Sequence, residues 1–451
     1  MKSYKSALAA ALLAGCAALA ACGDSGSTGQ NGSGSGSGSS GGGSSSSSSG
    51  GSSSGGSSSG GATSTAKLVY GCNWLFESTV QNANVYYPET NAVYWLAALP
   101  DSVPSGDTIA IKSVSPTARY FSFEIYDDSG KAETGINDAD IFGQSNPAPA
   151  IASGQGYEAT VTYNALLASS GSTLVINPIA VDTSQPAHKY LLYRLYLPTD
   201  GVDQFANLPV LTYVAKDGTQ TPLAQTPDQP SCNQIYDNIQ AQLAAGGSGL
   251  GSSISTLPSG PAVKPPKMVV YRSSGGHYQN LDVQYMYEQA NDTLGNLLLV
   301  RGKAPAYATG PGIAQVRYWS VCSDESDAPY QTVQCLADQD ALLDANGYYN
   351  IVIAPSTPPT GYSASFNYLP WGGEAFGRPI YRQVLPASAF SQSIANAPLL
   401  SASTSMGDYY PQTAYCSDSV FSANLAAGTA AVFSACQASQ GTGTVPDTGS
   451  N

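Results

Sequence analysis

The chain has 451 residues, of which 48 are glycine and only 11% are charged, and its formal net charge is −14. An acidic surplus of that size repels nucleic-acid phosphates and anionic head groups, which excludes nucleic-acid binding as a function class. The length beyond the Gly/Ser-rich start exceeds what one core serves and points to two domains.

In chain order, the first element is an export signal over residues 1–21: Lys2 and Lys5 precede a stretch of apolar and small residues that ends in Leu19-Ala20-Ala21-Cys22. This tetrad resembles the lipobox of bacterial lipoproteins, which implies that Cys22 becomes the lipid-bearing first residue of the mature protein. Leu13-Ala14-Gly15-Cys16 is a second such tetrad, but cleavage there shortens the apolar core and leaves Ala17 to Ala21 on the mature chain. Cys22 is followed by Gly23 and not by aspartate. By the sorting rules of Gram-negative lipoproteins this implies the outer membrane.

Residues 22–65 are almost wholly Gly and Ser, with Asp24 as the one charge, and bury too little apolar surface to offset the entropy of ordering. They form a tether with a root-mean-square span of about 36 Å and a stretched reach on the order of 150 Å.

Residues 66–245 form the first domain. Alternating segments over 108–112, 120–126, 157–163, 173–177 and 190–197 read as half-buried strands. A closing helix is predicted over 232–245, where Ile235, Tyr236, Ile239 and Leu243 fall at helical spacing, Ser231 and Gln234 form a capping box and Gly246-Gly247 stops the run. Residues 246–266 are a Gly/Ser/Pro linker. The second domain, 267–386, shows strands over 297–301, 316–322, 348–354 and 380–385, with Asn346-Gly347 as a tight-turn signal. Residues 387–451 have no counterpart in the first domain and read as an appendage.

The two domains echo one another. Lys112-Ser-Val-Ser-Pro116 matches Arg301-Gly-Lys-Ala-Pro305, and Arg119-Tyr-Phe-Ser122 matches Arg317-Tyr-Trp-Ser320. Asp138-Ala-Asp140 matches Asp338-Gln-Asp340, Leu174-Val-Ile-Asn-Pro178 matches Ile351-Val-Ile-Ala-Pro355, and Tyr193-Arg194 with Leu197-Pro198 matches Tyr381-Arg382 with Leu385-Pro386. Their shared order marks a tandem duplication. The expected fold is all-β, with two tandem β-sandwich or jelly-roll-like domains after the tether. The runs from Arg119 to Asp127 and from Tyr193 to Pro198, with Asn367-Tyr-Leu-Pro-Trp371 and Tyr381-Arg382, resemble jelly-roll domains of conserved exported bacterial proteins of unknown function. The resemblance implies the fold and no activity.

Six cysteines follow the anchor: Cys72, Cys232, Cys322, Cys335, Cys416 and Cys436. An even number in an exported chain reads as three disulfides, and their layout favours Cys72 with Cys232, Cys322 with Cys335, and Cys416 with Cys436. Zinc ligation is disfavoured, because no Cys-x-x-Cys occurs and His188 and His277 are the only histidines.

Candidates for chemistry are thin. Ser273 and Ser274 lie near His277, but no Gly-x-Ser-x-Gly elbow occurs outside the tether. Carboxylate pairs for glycoside hydrolysis could come from Glu77, Glu89, Glu124, Glu133, Glu158, Glu288, Glu325 and Glu374, of which Glu374 stands out beside the aromatic Trp371. Asp138, Asp140, Asp338 and Asp340 could ligate calcium, although turn capping is the simpler reading. Arg119, Arg194, Arg317 and Arg382 are expected to tie strands and loops together. The 29 tyrosines suit half-buried strands, with a sugar-stacking surface as the sharper alternative.

The expectation is a non-catalytic envelope lipoprotein that uses no cofactor or metal. Its partners would be the membrane, through the lipid, and a glycan or envelope protein. A secreted hydrolase acting on a polysaccharide or other polymer is the alternative.

Overall fold

A computed structural model of the protein describes residues 72–81, 83–100, 103–127, 130–144, 152–163, 178–180, 189–199, 208–223, 237, 266–272, 278–307, 314–327, 329–355, 358–359 and 365–440. The described residues form two β sandwiches with few helices.

The first sandwich has strands β1 (Cys72–Ser78), β2 (Ala92–Leu99), β3 (Thr108–Val114), β4 (Tyr120–Tyr126), β5 (Ala132–Asn137), β6 (Gly156–Thr162), β7 (Pro178–Ala180), β8 (Lys189–Tyr196), β9 (Val210–Val214) and β10 (Gln220–Pro222). They make two sheets, in the orders β1-β2-β8-β4-β5 and β10-β9-β3-β6-β7. The second sandwich has β11 (Val269–Tyr271), β12 (Val283–Tyr287), β13 (Ala290–Asn291), β14 (Leu297–Lys303), β15 (Tyr318–Asp324), β16 (Thr332–Ala337), β17 (Tyr348–Ala354), β18 (Asn367–Pro370), β19 (Phe376–Gly377), β20 (Ile380–Val384) and β21 (Gln412–Cys416). Its sheets run β11-β12-β20-β15-β16 and β18-β17-β14-β21, with β13 and β19 as a small separate pair. Every pairing is antiparallel except β6 with β7 and β17 with β18.

Nine strands of each sandwich correspond in order and pairing, while β10 of the first and the β13–β19 pair of the second lack counterparts, so the duplication is a structural fact. It also corrects two expectations. The segment read as an appendage supplies β21, which pairs with β14 as β9 pairs with β3 and completes the second sandwich. Four of the five sequence matches fall on equivalent positions. The match of Leu174–Pro178 with Ile351–Pro355 does not, because the topological partner of β17 is β6, whereas Pro178 opens β7, the partner of β18. Both runs are short and rich in β-branched residues, so a match between them carries little information about register. The strand predicted over 173–177 lies outside the described residues, as does the predicted closing helix apart from Asp237.

Period-two alternation explains the burial. On β4, Phe121, Phe123 and Ile125 enter the first core, while Tyr120, Ser122, Glu124 and Tyr126 point to the other face. On β8, Leu191, Tyr193 and Leu195 face that core with Trp95 of β2. In the second sandwich Trp319 and Val321 of β15 meet Val300, Ile351, Ile353 and Tyr381. All seven residues of β4 and all seven of β15 are buried, so the face away from each core is covered as well. What covers it is the other sandwich. Ala92, Tyr120 and Tyr196 of the first half pack with Val283, Tyr318, Val384 and Leu385 of the second in one shared cluster.

The outer sheet of the second sandwich is roofed by two helices, Asp418–Asn424 and Thr429–Ser439. Ser417 caps the first through its hydroxyl, which accepts from the Val420 N–H at 3.3 Å. Phe421, Val432 and Phe433 cover Leu297, Leu299, Val352 and Phe366. The Cys416–Cys436 disulfide fastens the end of β21 to the second helix, with Cα atoms 4.9 Å apart. In the chain-entropy picture, closing the 20-residue separation contributes about 3 kcal/mol. Cys436→Ser is therefore expected to lower the unfolding free energy from urea titration by about 3 kcal/mol while leaving the far-ultraviolet spectrum β-rich.

Candidate functional site

The charged residues that the sequence offered for chemistry converge on the seam between the sandwiches. Arg317 Nη2 donates to Asp138 Oδ1 at 2.6 Å, and Arg119 Nη1 donates to Asp338 Oδ2 at 3.2 Å. Each pair crosses from one half to the other. Arg317 and Asp138 are fully buried, while Arg119 keeps 11% of its side chain exposed. Burial pushes the Asp138 and Asp338 carboxyls up to about 6, outweighing the arginines that lower them. Asp140 and Asp340 are exposed. Asp138 Oδ1 also accepts the Ala139 N–H at 2.8 Å, and Asp338 the Gln339 N–H, so each aspartate holds its own turn as well as an arginine of the other domain.

A second layer surrounds Arg194 and Arg382, which occupy equivalent places on β8 and β20. Arg194 donates to Glu124 Oε2, to the Tyr126 hydroxyl and to the Tyr278 carbonyl, each at 2.5 Å. Arg382 donates to the Tyr87 carbonyl at 2.8 Å and lies 3.7 Å from Glu89 Oε2. Tyr87 and Tyr278 both adopt left-handed backbone, with φ of 58° and 50°. This conformation is costly for a tyrosine and persists where its surroundings enforce it. Here it turns each carbonyl toward the arginine of the other half.

The stretches that carry these tyrosines cross the seam as arms. The first-half arm, 83–91, lies along the β15–β16 hairpin: Tyr86 and Tyr87 donate their N–H groups to the Pro329 and Tyr330 carbonyls at 3.0 and 2.8 Å. The second-half arm lies on the β4–β5 hairpin, with the Tyr278 N–H on the Gly130 carbonyl at 3.0 Å. Asp282 accepts from the Tyr120 hydroxyl at 2.7 Å and from Asn137 Nδ2 at 3.2 Å, and burial pushes it up to about 7.

An acidic edge of the second half holds the other candidate. Glu325 Oε1 accepts from the Gly373 N–H at 2.7 Å, and Glu374 Oε2 from the Asp327 N–H at 3.3 Å. Burial and then the nearby Glu325 carboxylate hold the Glu374 carboxyl above its usual range. Trp371 is no open platform. It is 3% exposed, packs in the second core and lies against Gly377. The crevice beside it, lined by Ser323, Asp324, Ile353, Trp371, Gly377 and Arg378 among others, leaves no room for a water molecule. Burial pushes Asp324 up to about 7 there.

The remaining expected residues fall as follows. Cys322 pairs with Cys335 across β15 and β16, and Cys416 with Cys436. Cys72 is disulfide-bonded, and its expected partner Cys232 lies outside the described residues. Cys22, His188, Ser273, Ser274 and His277 lie outside them too. Among the described residues, Glu89, Cys322 and Cys335 are close enough to hold a metal ion. They do not fit one, because both sulfurs are spent in a disulfide and Arg382 lies 2.5 Å from Cys322 Sγ. No helix among the described residues is long and apolar enough to cross a membrane. Sequence reading missed the arms, Asp282 and the cross-seam pairing. The available signal was the polar set Ser122, Glu124 and Arg194 on strands whose apolar alternate residues already filled a core.

No family model matches the chain, and no curated protein matches it. Among solved structures, the chain is similar to an uncharacterized protein from Burkholderia cenocepacia, with 14% identity over 67% of this chain and 74% of that one and a TM-score of 0.40. It is similar to a protein from Vibrio parahaemolyticus, with 14% identity over 72% of this chain and 89% of that one and a TM-score of 0.39. The collagen-binding subdomain of the Enterococcus faecalis surface protein ACE follows, with 13% identity over 30% of this chain and 85% of that one and a TM-score of 0.17.

Proposed function

We propose that the protein is a non-catalytic lipoprotein of the bacterial cell envelope, lipid-anchored through Cys22 in the outer membrane. Its paired sandwiches stand on the 22–65 tether and bind a glycan, an envelope component or another protein. One observation carries this reading. Arg119, Arg194, Arg317 and Arg382, with Asp138, Asp338, Glu124 and Glu89, are engaged in the seam, where they join the two halves. Side chains spent on joining two sandwiches are not free to act on a substrate, which favours presentation of a surface.

The test is the full-length protein in detergent micelles on an array of glycans and envelope polymers, with soluble products assayed alongside. Saturable binding with no product is expected. Product release that Glu374→Gln abolishes overturns the reading. Cys22→Ser is expected to move the protein from the membrane fraction to the soluble one.

A hydrolase acting on a polymer is the second reading, favoured by one feature: Glu374 is held toward its protonated form beside Glu325, as an acid paired with a carboxylate requires. Against it, the Trp371 indole is buried in the second core and offers no platform for a sugar.

A further inference from the structure

The two arms are duplicates of one another that carry their acids at different places. The Leu197 N–H donates to the Asn91 carbonyl at 2.8 Å, as the Leu385 N–H donates to the Asp282 carbonyl at 2.9 Å. The Glu89 N–H donates to the Tyr94 hydroxyl at 2.9 Å, as the Asn280 N–H donates to the Tyr285 hydroxyl at 3.4 Å. Glu89-Thr90-Asn91 of the first arm is therefore equivalent to Asn280-Leu281-Asp282 of the second. Asp282 stands where its duplicate is an uncharged amide.

The acids of the two arms also meet different surroundings. Glu89 Oε2 lies 3.7 Å from the Arg382 guanidinium. Asp282 is in no ion pair with any described residue, and its partners across the seam are uncharged donors, the Tyr120 hydroxyl at 2.7 Å and Asn137 Nδ2 at 3.2 Å. Tyr318, the counterpart of Tyr120, makes no such bond to Asn91. The titratable groups that face Asp282 from the first half are Tyr120 and Glu124 of β4 and Asp140 beyond β5, and none of them brings a positive charge. Arg194 of β8 spends its bonds on Glu124, the Tyr126 hydroxyl and the Tyr278 carbonyl. Glu124 also accepts the Leu281 N–H at 3.1 Å, so docking of the arm sets a second carboxyl beside it in the dry seam. Burial, and after it the Glu124 carboxylate, push the Asp282 carboxyl up to about 7 against the pull of its two donors.

We propose that the second arm is a clasp worked by protons: Asp282 holds the first half as a neutral acid and lets go of it as a carboxylate, a device that the first arm lacks at Asn91. The docked arm keeps a proton that the undocked arm gives up to water. Docking is therefore at full strength below about pH 3.8, weakens as pH rises and levels off above about pH 7. Release bares Glu124 and Arg194, which now bond to the arm.

The experiment is hydrogen exchange of the full-length protein in detergent micelles between pH 5 and 8. It is read by mass spectrometry on overlapping peptides that isolate 278–282, β4 and β15, with each rate corrected for the intrinsic effect of pH. Protection of the arm is expected to fall by about tenfold for each pH unit between about 5 and 7 and to level off above, one proton being lost on release. Protection of β4 and β15 should fall less steeply, because the arm opens while the sandwiches stay closed. In Asp282→Asn, which carries the residue of the first arm, the fall should shrink to less than about threefold over the whole range. Arm protection that stays level in the parent protein between pH 5 and 7 overturns the proposal. So does a fall no steeper than that of β4 and β15, and so does an Asp282→Asn protein that keeps the parent's slope.

Discussion

Arg317→Ala is expected to destabilise the protein by about 3–5 kcal/mol, the cost of leaving a buried carboxylate without its counter-ion. Asp138 is 1% exposed and its bond to Arg317 crosses the seam, so the loss falls on the union of the two halves. Arg119→Ala removes the symmetric partner but should cost less, because Arg119 retains 11% exposure and water screens it. Replacing both members of the buried pair, as Arg317→Met with Asp138→Leu, should recover much of the loss, since it is the orphaned charge and not the missing attraction that destabilises. Urea titration of the single and double variants checks the ordering. A single variant within about 1 kcal/mol of the parent, on the scale of an exposed surface pair, would contradict it.

The second large effect is a loss of stability with rising pH. Glu288 is buried beside Thr413 and Tyr415, and burial pushes its carboxyl from 4.5 up to about 8. A carboxyl raised in the folded state binds its proton more tightly there than in the unfolded chain. Its contribution is therefore fully present below about pH 4.5 and is lost as pH rises through about 8. Asp282 and Asp324 act in the same direction up to about pH 7, and Asp138 and Asp338 up to about pH 6. The protein should thus be more stable at pH 5 than at pH 8. Glu288 alone accounts for at most about 4 kcal/mol over that span, one pKa unit being about 1.36 kcal/mol. Thermal melts across this range provide the measurement. Glu288→Gln, neutral at every pH, should flatten the fall across this range and remove most of what is left between pH 7 and 8, where the aspartates have finished titrating. A melting temperature that climbs with pH would refute the assignment.

Much of the fold was legible because alternation was strong where it mattered. Tyr120–Tyr126 and Tyr348–Ala354 were placed to the residue. The duplication was legible in short echoes, four of which fall on equivalent positions. Strands such as Ala132–Asn137 and Gln412–Cys416 escaped, because Gly135 interrupts the apolar pattern of one and the other sits far from the sheet it joins. Local pattern carries no information about a pairing that closes over more than a hundred residues, as between Leu297 and Cys416.

The seam was legible only in fragments. Arg119, Arg317, Asp138 and Asp338 were each singled out, and the arginines were rightly read as ties. Nothing in spacing could say that the duplicated pairs swap partners. Trp371 and Glu374 show the reverse: they are adjacent enough in sequence to suggest a sugar platform, yet the indole turns into the core and the carboxyl toward Glu325.

The late position of β21 sets an order of assembly. A ribosome or a translocation pore delivers the chain from its N-terminus, so the second sandwich lacks an edge strand until residue 416 has emerged. Until the strands that hold Val283, Tyr318 and Val384 are in place, the first half exposes the face that carries Glu124 and Arg194. An immature chain of this kind depends on whatever shields that charged, aromatic surface while its tail is still arriving.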